Sequence, residues 1–277
     1  MHDMKTQYQS LLLDIADSGT PTGSNCVAYS GGVDSALVAC AVHEVFPDRS
    51  LAIMAISASV SRTMRETAEL IAAHIGIPLR LVRTDETNNP VYVANEGMSC
   101  YICKTGIYQA MRAVQSNVSG DDVRIFNGTN SEDLLDPTRV GLLAAREYSV
   151  LSPLSRFTKQ EIRLMSKLVG LPNWNAAPSP CLRSRLSLGV PASEEHLMRI
   201  EAAEEAIRRT YRFSAEINLR VRHLPDDTAM IEVDAALLPD LDLGPSRPAL
   251  MSLGFSDVQK RAFRSGSVAK RNPDPEH

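Results

Sequence analysis

The sequence predicts an α/β protein, with a domain built on a parallel β-sheet followed by a smaller α+β domain. Three observations carry that reading. From Cys26 to about Gly170, short apolar runs alternate with helical patterns, the rhythm of strands joined by crossover helices. The stretch "LPNWNAAPSPCLRSR", Leu171 to Arg185, then breaks the rhythm with three prolines and two asparagines. After about Val190 the pattern becomes one long charged helix followed by segments of period two.

Element by element, "MHDMKTQYQSLLLDIADSG" reads as an amphipathic helix ending near Gly19, without the apolar core of a signal peptide. Strands are expected at Cys26–Tyr29, Leu51–Ile56, Leu79–Val82, Arg124–Phe126 and Ser149–Leu151. Helices are expected at Ser35–Val45, Arg62–His74, Tyr101–Val114 and Arg139–Glu147. Gly76 and Pro78 punctuate the second of these. "TKQE", Thr158–Glu161, has the form of a capping box opening a helix that runs to Lys167 and stops at Gly170. A loop as long as Leu171–Arg185 inside a compact chain is usually functional. In the second domain, Ser193–Tyr211 reads as a helix, "EINLRVRHL" and "TAMIEV" as paired strands, and a helix and last strand follow. The domains are expected at 1–187 and 188–267, with 268–277 a disordered tail.

Composition narrows the class. A net charge of −4 gives no general footprint for nucleic acid, so a large RNA or DNA partner is disfavoured. No stretch approaches a membrane-spanning length. A cytoplasmic location follows as the expectation, where thiols stay reduced. The five cysteines (Cys26, Cys40, Cys100, Cys103, Cys181) are therefore read as thiols rather than disulfide staples. Cys26 and Cys40, in a strand and an apolar helix face, are expected in the core.

The loop "VAYSGGVDS", Val27–Ser35, lies between an expected strand and helix. Glycines let backbone N–H groups curl around an anion, and the helix N-terminus adds partial positive charge. The loop has neither the lysine of a Walker A motif nor the G-x-G-x-x-G of dinucleotide folds. A Gly-Gly turn without any ligand is the bland alternative.

"SGGVDS" resembles the PP-loop of the N-type ATP pyrophosphatases, which split ATP into AMP and pyrophosphate and use AMP to activate a substrate. That resemblance implies an adenine nucleotide α-hydrolase-like fold for the first domain. It also implies nucleotide contacts at Ala28, Ser30, Gly31, Gly32, Val33, Asp34, Ser35, Ile56 and Gly128, with Asp133 nearby and Mg²⁺ beside the Asp34–Ser35 end. Two further stretches, Gly128–Arg163 and "PSPCLRSRLSLG" (Pro178–Gly189), together with "FRSGS" (Phe263–Ser267), look like the LarE family of ATP-dependent sulfur transferases. Such enzymes adenylate a carboxylate of pyridinium-3,5-dicarboxylate mononucleotide and install sulfur, for the nickel-pincer cofactor. The resemblance implies a small-molecule nucleotide substrate, a sulfide or other sulfur donor, and a homo-oligomer. Before "FRSGS" the chain reads "VQKRA" where the family usually has D-L-x-G, so no acidic role is assigned there.

Cys181 is followed closely by Arg183 and Arg185, and guanidinium charge favours thiolate over thiol. The resemblance makes Cys181 the sulfur centre. Cys100 and Cys103 form a C-x-x-C, which by itself reads as a redox pair, a zinc half-site or iron–sulfur ligands. With Cys181 they match the family's three-cysteine subgroup, implying a [4Fe–4S] cluster with one iron open. The runner-up is sacrifice of Cys181 to dehydroalanine. Arg220 and Arg222 share one face of a strand. A solvated face is one reading, and the family's paired arginines imply phosphate binding. Arg264 is a further phosphate or oligomer contact. Glu201 and Glu204, one helical turn apart, are candidates to position substrate or a metal, although exposed helix glutamates are common. Two other enzyme classes use a similar loop. tRNA thiolation also pairs it with three cysteines, whereas an amidating ligase of the NAD synthetase kind has no use for them.

Overall fold

The computed structural model describes residues 2–116, 122–214 and 217–263. Its contacts divide the chain into two units. The first is Met1–Glu86 with Cys100–Ser179, the second Thr87–Ser99 with Pro180–His277.

In the first unit, α1 (His2–Ser18) precedes β1 (Ser24–Ala28), α2 (Val33–Val45), β2 (Ser50–Ile56), α3 (Arg62–Ile75) and β3 (Leu79–Arg83). A short α4 (Pro90–Ala94), grouped with the second unit, intervenes before α5 (Ser99–Ser116) and β4 (Val123–Phe126). The helices α6 (Ser131–Leu134), α7 (Gly141–Glu147) and α8 (Lys159–Leu168) follow. The strands form one all-parallel sheet in the order β3-β2-β1-β4.

Alternation along the strands builds two cores. Val27, Ala52, Met54 and Phe126 join Leu11, Ile15, Leu37 and Ile162 on one face. Their neighbours Cys26, Ile53 and Ile125 join Tyr108, Met111 and Ala144 on the other. Successive side chains of a strand point to opposite faces, so a sheet covered on both sides needs such continuous apolar runs. Cys26 is fully buried, as expected of a core residue, and Cys40 packs against the other core.

One strand expectation is corrected. Of Ser149–Leu151, only Leu151 bridges to β4, at Phe126. Ser149 takes a left-handed conformation (φ 54°) where α7 ends, and Pro153 closely follows. The extended run is too short to be a strand. The capping box at Thr158 forms as the sequence suggests, with Glu161 Oε2 accepting from Thr158 N at 2.8 Å.

In the second unit, α9 (Glu194–Tyr211) leads to β5 (Leu219–His223), β6 (Thr228–Val233), α10 (Arg247–Ser252) and β7 (Asp257–Ala262). The sheet order is β5-β6-β7, with β5 antiparallel and β7 parallel to β6. Leu219, Val221, Ile231 and Val233 pack on Ala203, Ile207, Leu250 and Phe255. The segment Thr87–Ser99 belongs here because Asn95 is tied into it. The buried Asn95 Nδ2 donates to the carbonyls of Ser187 (2.8 Å) and Val190 (2.9 Å), and Ala192 N donates to Val93 O. The division therefore differs from the single cut after Ser187 that the sequence suggests, because those bonds cross a large sequence separation. Among the described residues no helix is long and apolar enough to cross a membrane.

Candidate functional site

The chain leaves β1, builds outward through β2 and β3, and returns to the other side of β1 at β4. The gap between the carboxyl ends of β1 and β4 is thus the topological switch point, where open parallel sheets take their ligands. The Ser30–Ser35 loop stands there, directly between β1 and α2.

Local chemistry explains its shape. Gly31 has φ 73°, and a Cβ there would come within 2.6 Å of Ala68 Cα on α3. Only glycine allows both the left-handed turn and that close approach. Ser35 Oγ accepts from Ser30 N at 3.2 Å and donates to Gly32 O at 3.1 Å, closing the curl. Asn173, from the Pro-rich loop, donates its Nδ2 to Gly31 O at 2.9 Å. Ser30 and Gly32 face solvent. No side chain caps α2 at Gly32, and a helix of this length presents its first N–H groups and dipole to an anion.

The far wall comes from the loop after β4. A Cβ on Gly128 would lie 2.8 Å from Ser35 N, so the two loops touch at backbone distance. Asn130, fully buried, donates Nδ2 to Asp34 Oδ2 at 2.8 Å. Burial pushes the Asp34 carboxyl above its ordinary value, and the Asn130 bond opposes that shift. Asp133 closes a capping box with Asn130 and pairs with Arg139 at 2.7 Å. Ala28 and Ile56 end β1 and β2 at this same edge of the sheet. Beside them Glu86, buried, accepts from Ser57 Oγ at 2.6 Å and Ser59 Oγ at 3.2 Å, while its Oε2 is buried without a hydrogen-bond partner. Asn130, Asn173 and Glu86 are not among the residues singled out by sequence. The N-S-E-D spacing of Asn130 to Asp133 was a usable capping signal. Glu86 carries none.

Cys100 and Cys103 sit inside the first two turns of α5, which begins at Ser99, two residues before the start at Tyr101 that the sequence suggests. At i and i+3 they share one helix face. Cys100 is exposed and Cys103 half-buried, and none of the five cysteines is in a disulfide.

Cys181 belongs to the second unit, immediately before a 3-10 turn at Leu182–Arg185. Arg185, 3% exposed, folds back over it. Its Nη1 donates to the carbonyls of Pro180 and Cys181, and its Nε pairs with Glu204 at 3.0 Å. Arg185 therefore acts on the backbone that presents Cys181. Glu204 Oε1 also accepts from Val221 N at 3.1 Å, capping an edge N–H of β5. Glu201 lies one turn earlier on α9 and is half-buried.

Arg220 and Arg222 are 8% and 6% exposed, so a solvated strand face is excluded. Strand register sets Arg220, Glu232 and Arg261 in a row across β5, β6 and β7. The fully buried Glu232 meets Arg261 Nη2 at 2.6 Å and lies 2.7 Å from Arg222 Nε. The latter is an ion pair whose angles fall outside hydrogen-bond geometry. Arg222 Nη1 also donates to Ser184 O at 2.9 Å, and the Arg220 guanidinium stacks over Phe263. Burial first, then the neighbouring Arg185 charge, lowers the Arg220 pKa to about 10. The arginines of this cluster outnumber its carboxylates among the described residues, which suits an anionic ligand. Arg264 and the tail 268–277 lie outside the described residues.

No family model matches the chain. It is 29% identical over 249 residues, 87% of its length and 87% of the relative's, to the protein of Lactiplantibacillus plantarum named pyridinium-3,5-bisthiocarboxylic acid mononucleotide synthase. It is 28% identical to the uncharacterized protein MJ0830 of Methanocaldococcus jannaschii, over 74% of this chain and 79% of that one. To the uncharacterized protein slr1717 of Synechocystis it is 35% identical over 250 residues, 87% of this chain and 90% of the relative. With that identity spread over nearly the whole of both sequences, the chain belongs to the family of slr1717.

Proposed function

We propose that the protein is an ATP-dependent sulfur transferase that converts a carboxylate of a pyridinium mononucleotide, pyridinium-3,5-dicarboxylate mononucleotide, into a thiocarboxylate. The observation that carries the reading is the position of Ser30–Ser35 at the switch point of a parallel sheet, braced by Gly128 and Asn130. The likeness to a protein named as a bisthiocarboxylic acid mononucleotide synthase supplies the substrate class.

A carboxylate resists nucleophiles because its charge repels them and oxide is a poor leaving group. Adenylation removes both obstacles. The amides of Ser30–Ser35 hold the outer phosphates of ATP, and Asp34, held by Asn130, would hold the Mg²⁺ that neutralises their charge. A substrate carboxylate oxygen attacks the α-phosphorus and pyrophosphate leaves. Sulfur then attacks the acyl carbon and AMP leaves with the bridging oxygen. The buried arginines Arg220 and Arg222 bind the substrate phosphate, with Arg264 as a further contact, while Glu201 and Glu204, one turn apart on α9, position the substrate.

Cys181 is the sulfur centre, and Arg185 fixes its backbone. In this reading Cys100 and Cys103, on one face of α5, and Cys181 are the thiols that would hold a [4Fe–4S] cluster with one iron open. Such a cluster would supply an exchangeable sulfide. If instead Cys181 gives up its own sulfur, its Sγ bonds to the acyl carbon. The Cβ–Sγ bond then breaks with loss of the Cα proton, leaving dehydroalanine. Anaerobic iron and sulfide analysis of wild type against Cys100→Ala separates the routes, as does loss of H₂S mass from the chain after one turnover. The reading itself is rejected if Cys181→Ser keeps full sulfur incorporation with ATP, Mg²⁺ and a sulfide source.

A further inference from the structure

His196 on α9, His223 at the end of β5 and Asp227 in the turn before β6 have no part in the chemistry above. One donor atom of each lies within 4.8 Å of those of the other two. Their surroundings are more than a chance meeting of polar side chains. His223 is 1% exposed. Its Nε2 lies 2.9 Å from Asp227 Oδ1, and its Nδ1 is buried with no hydrogen-bond partner. Either tautomer thus leaves a buried ring nitrogen unmatched, as a lone pair without a donor or an N–H without an acceptor. His196 Nδ1 meets Ser193 Oγ at 2.7 Å, which leaves its Nε2 outside that bond. The two imidazole centroids are 5.0 Å apart.

The turn that presents the carboxylate is itself unusual. Asp226 and Asp227 both hold positive φ, 62° and 56°, a region that residues other than glycine rarely occupy and that collects at functional sites. Arg199 Nη1 grips Asp227 Oδ1 at 3.0 Å and so fixes the carboxylate, with the second oxygen left to another partner. The cluster borders a cavity of about 440 Å³ whose walls include Leu188, Pro191 and Leu224.

We propose that His196, His223 and Asp227 bind a divalent first-row transition ion, with the remaining coordination positions open to the cavity. Two imidazoles and one carboxylate form a donor set that suits Zn²⁺ and its neighbours rather than Mg²⁺ or Ca²⁺. A tetrahedral ion with bonds of about 2.1 Å spaces its ligands by roughly 3.4 Å.

The test uses the full chain, stripped with a chelator and with its thiols alkylated so that Cys100, Cys103 and Cys181 cannot compete. Wild type is expected to retain one equivalent of Zn²⁺ after dialysis and to show visible d–d absorption with Co²⁺. His196→Ala and Asp227→Asn, at side chains that are not buried, are expected to lose the equivalent and to weaken Co²⁺ binding by about tenfold or more. Equal thermal midpoints of the metal-free proteins establish that each variant is folded, and either folded variant decides the matter. Equal metal content and affinity in wild type and the folded variants, or no binding by wild type, overturns the proposal. No thiol takes part, so this outcome is separate from that of the sulfur-transfer reading.

Discussion

Asn130 Nδ2 donates to Asp34 Oδ2 across the gap between the loops that follow β4 and β1, at 2.8 Å. The bond restrains a carboxylate that burial drives towards its neutral form. Asn130→Ala removes a hydrogen bond that lowers that pKa. The acidic limb of the pH–rate profile for pyrophosphate release is expected to move to higher pH, with the maximal rate falling about tenfold.

Asp34 also links stability to pH. Its folded pKa is raised above the ordinary value of 3.8. The folded chain therefore holds the proton more tightly, and stability declines as pH rises from that value through the raised one. Asp34→Asn keeps an acceptor for Asn130 and removes the penalty. At neutral pH it is expected to stabilise the protein to urea by about 1 kcal/mol while abolishing ATP turnover.

Gly31 admits no side chain. Gly31→Ala combines a left-handed residue with overlap against Ala68, and a loss of about 2 kcal/mol or more is expected in chemical denaturation. Gly32→Ala meets nothing closer than Ser30 Oγ at 3.5 Å, so it is the matched control and stays near wild-type stability.

Glu232 is the shared counter-ion of Arg222 and Arg261. Glu232→Gln leaves buried guanidinium charge without its carboxylate, and a loss of about 3 kcal/mol is expected. Adding Arg222→Met to that variant should recover part of the loss, which a double-mutant cycle reads directly.

Arg220 lies in the same row but serves the ligand in the proposed reaction. Arg220→Gln is expected to raise the Michaelis constant for the phosphate-bearing substrate by about tenfold, the scale of one hydrogen bond to a charged group. The Michaelis constant for ATP should not change.

Much of this protein is local and could be read along the chain. The β1–loop–α2 signal, the capping box at Thr158, the helix of Ser193–Tyr211 and the paired strands around Arg220 depend on neighbours a few residues away. Period-two and helical patterns report them because side-chain direction follows backbone geometry. What tertiary structure alone decided are the pairings between distant segments. Leu151 supplies one bridge rather than a strand. Asn95 carries Thr87–Ser99 into the second unit through the carbonyls of Ser187 and Val190. Asn173 reaches Gly31 O, and strand register, not spacing, brings Glu232 between Arg220 and Arg261. Nothing in the local sequence encodes such partners, because a buried polar group is satisfied by whatever the fold sets beside it.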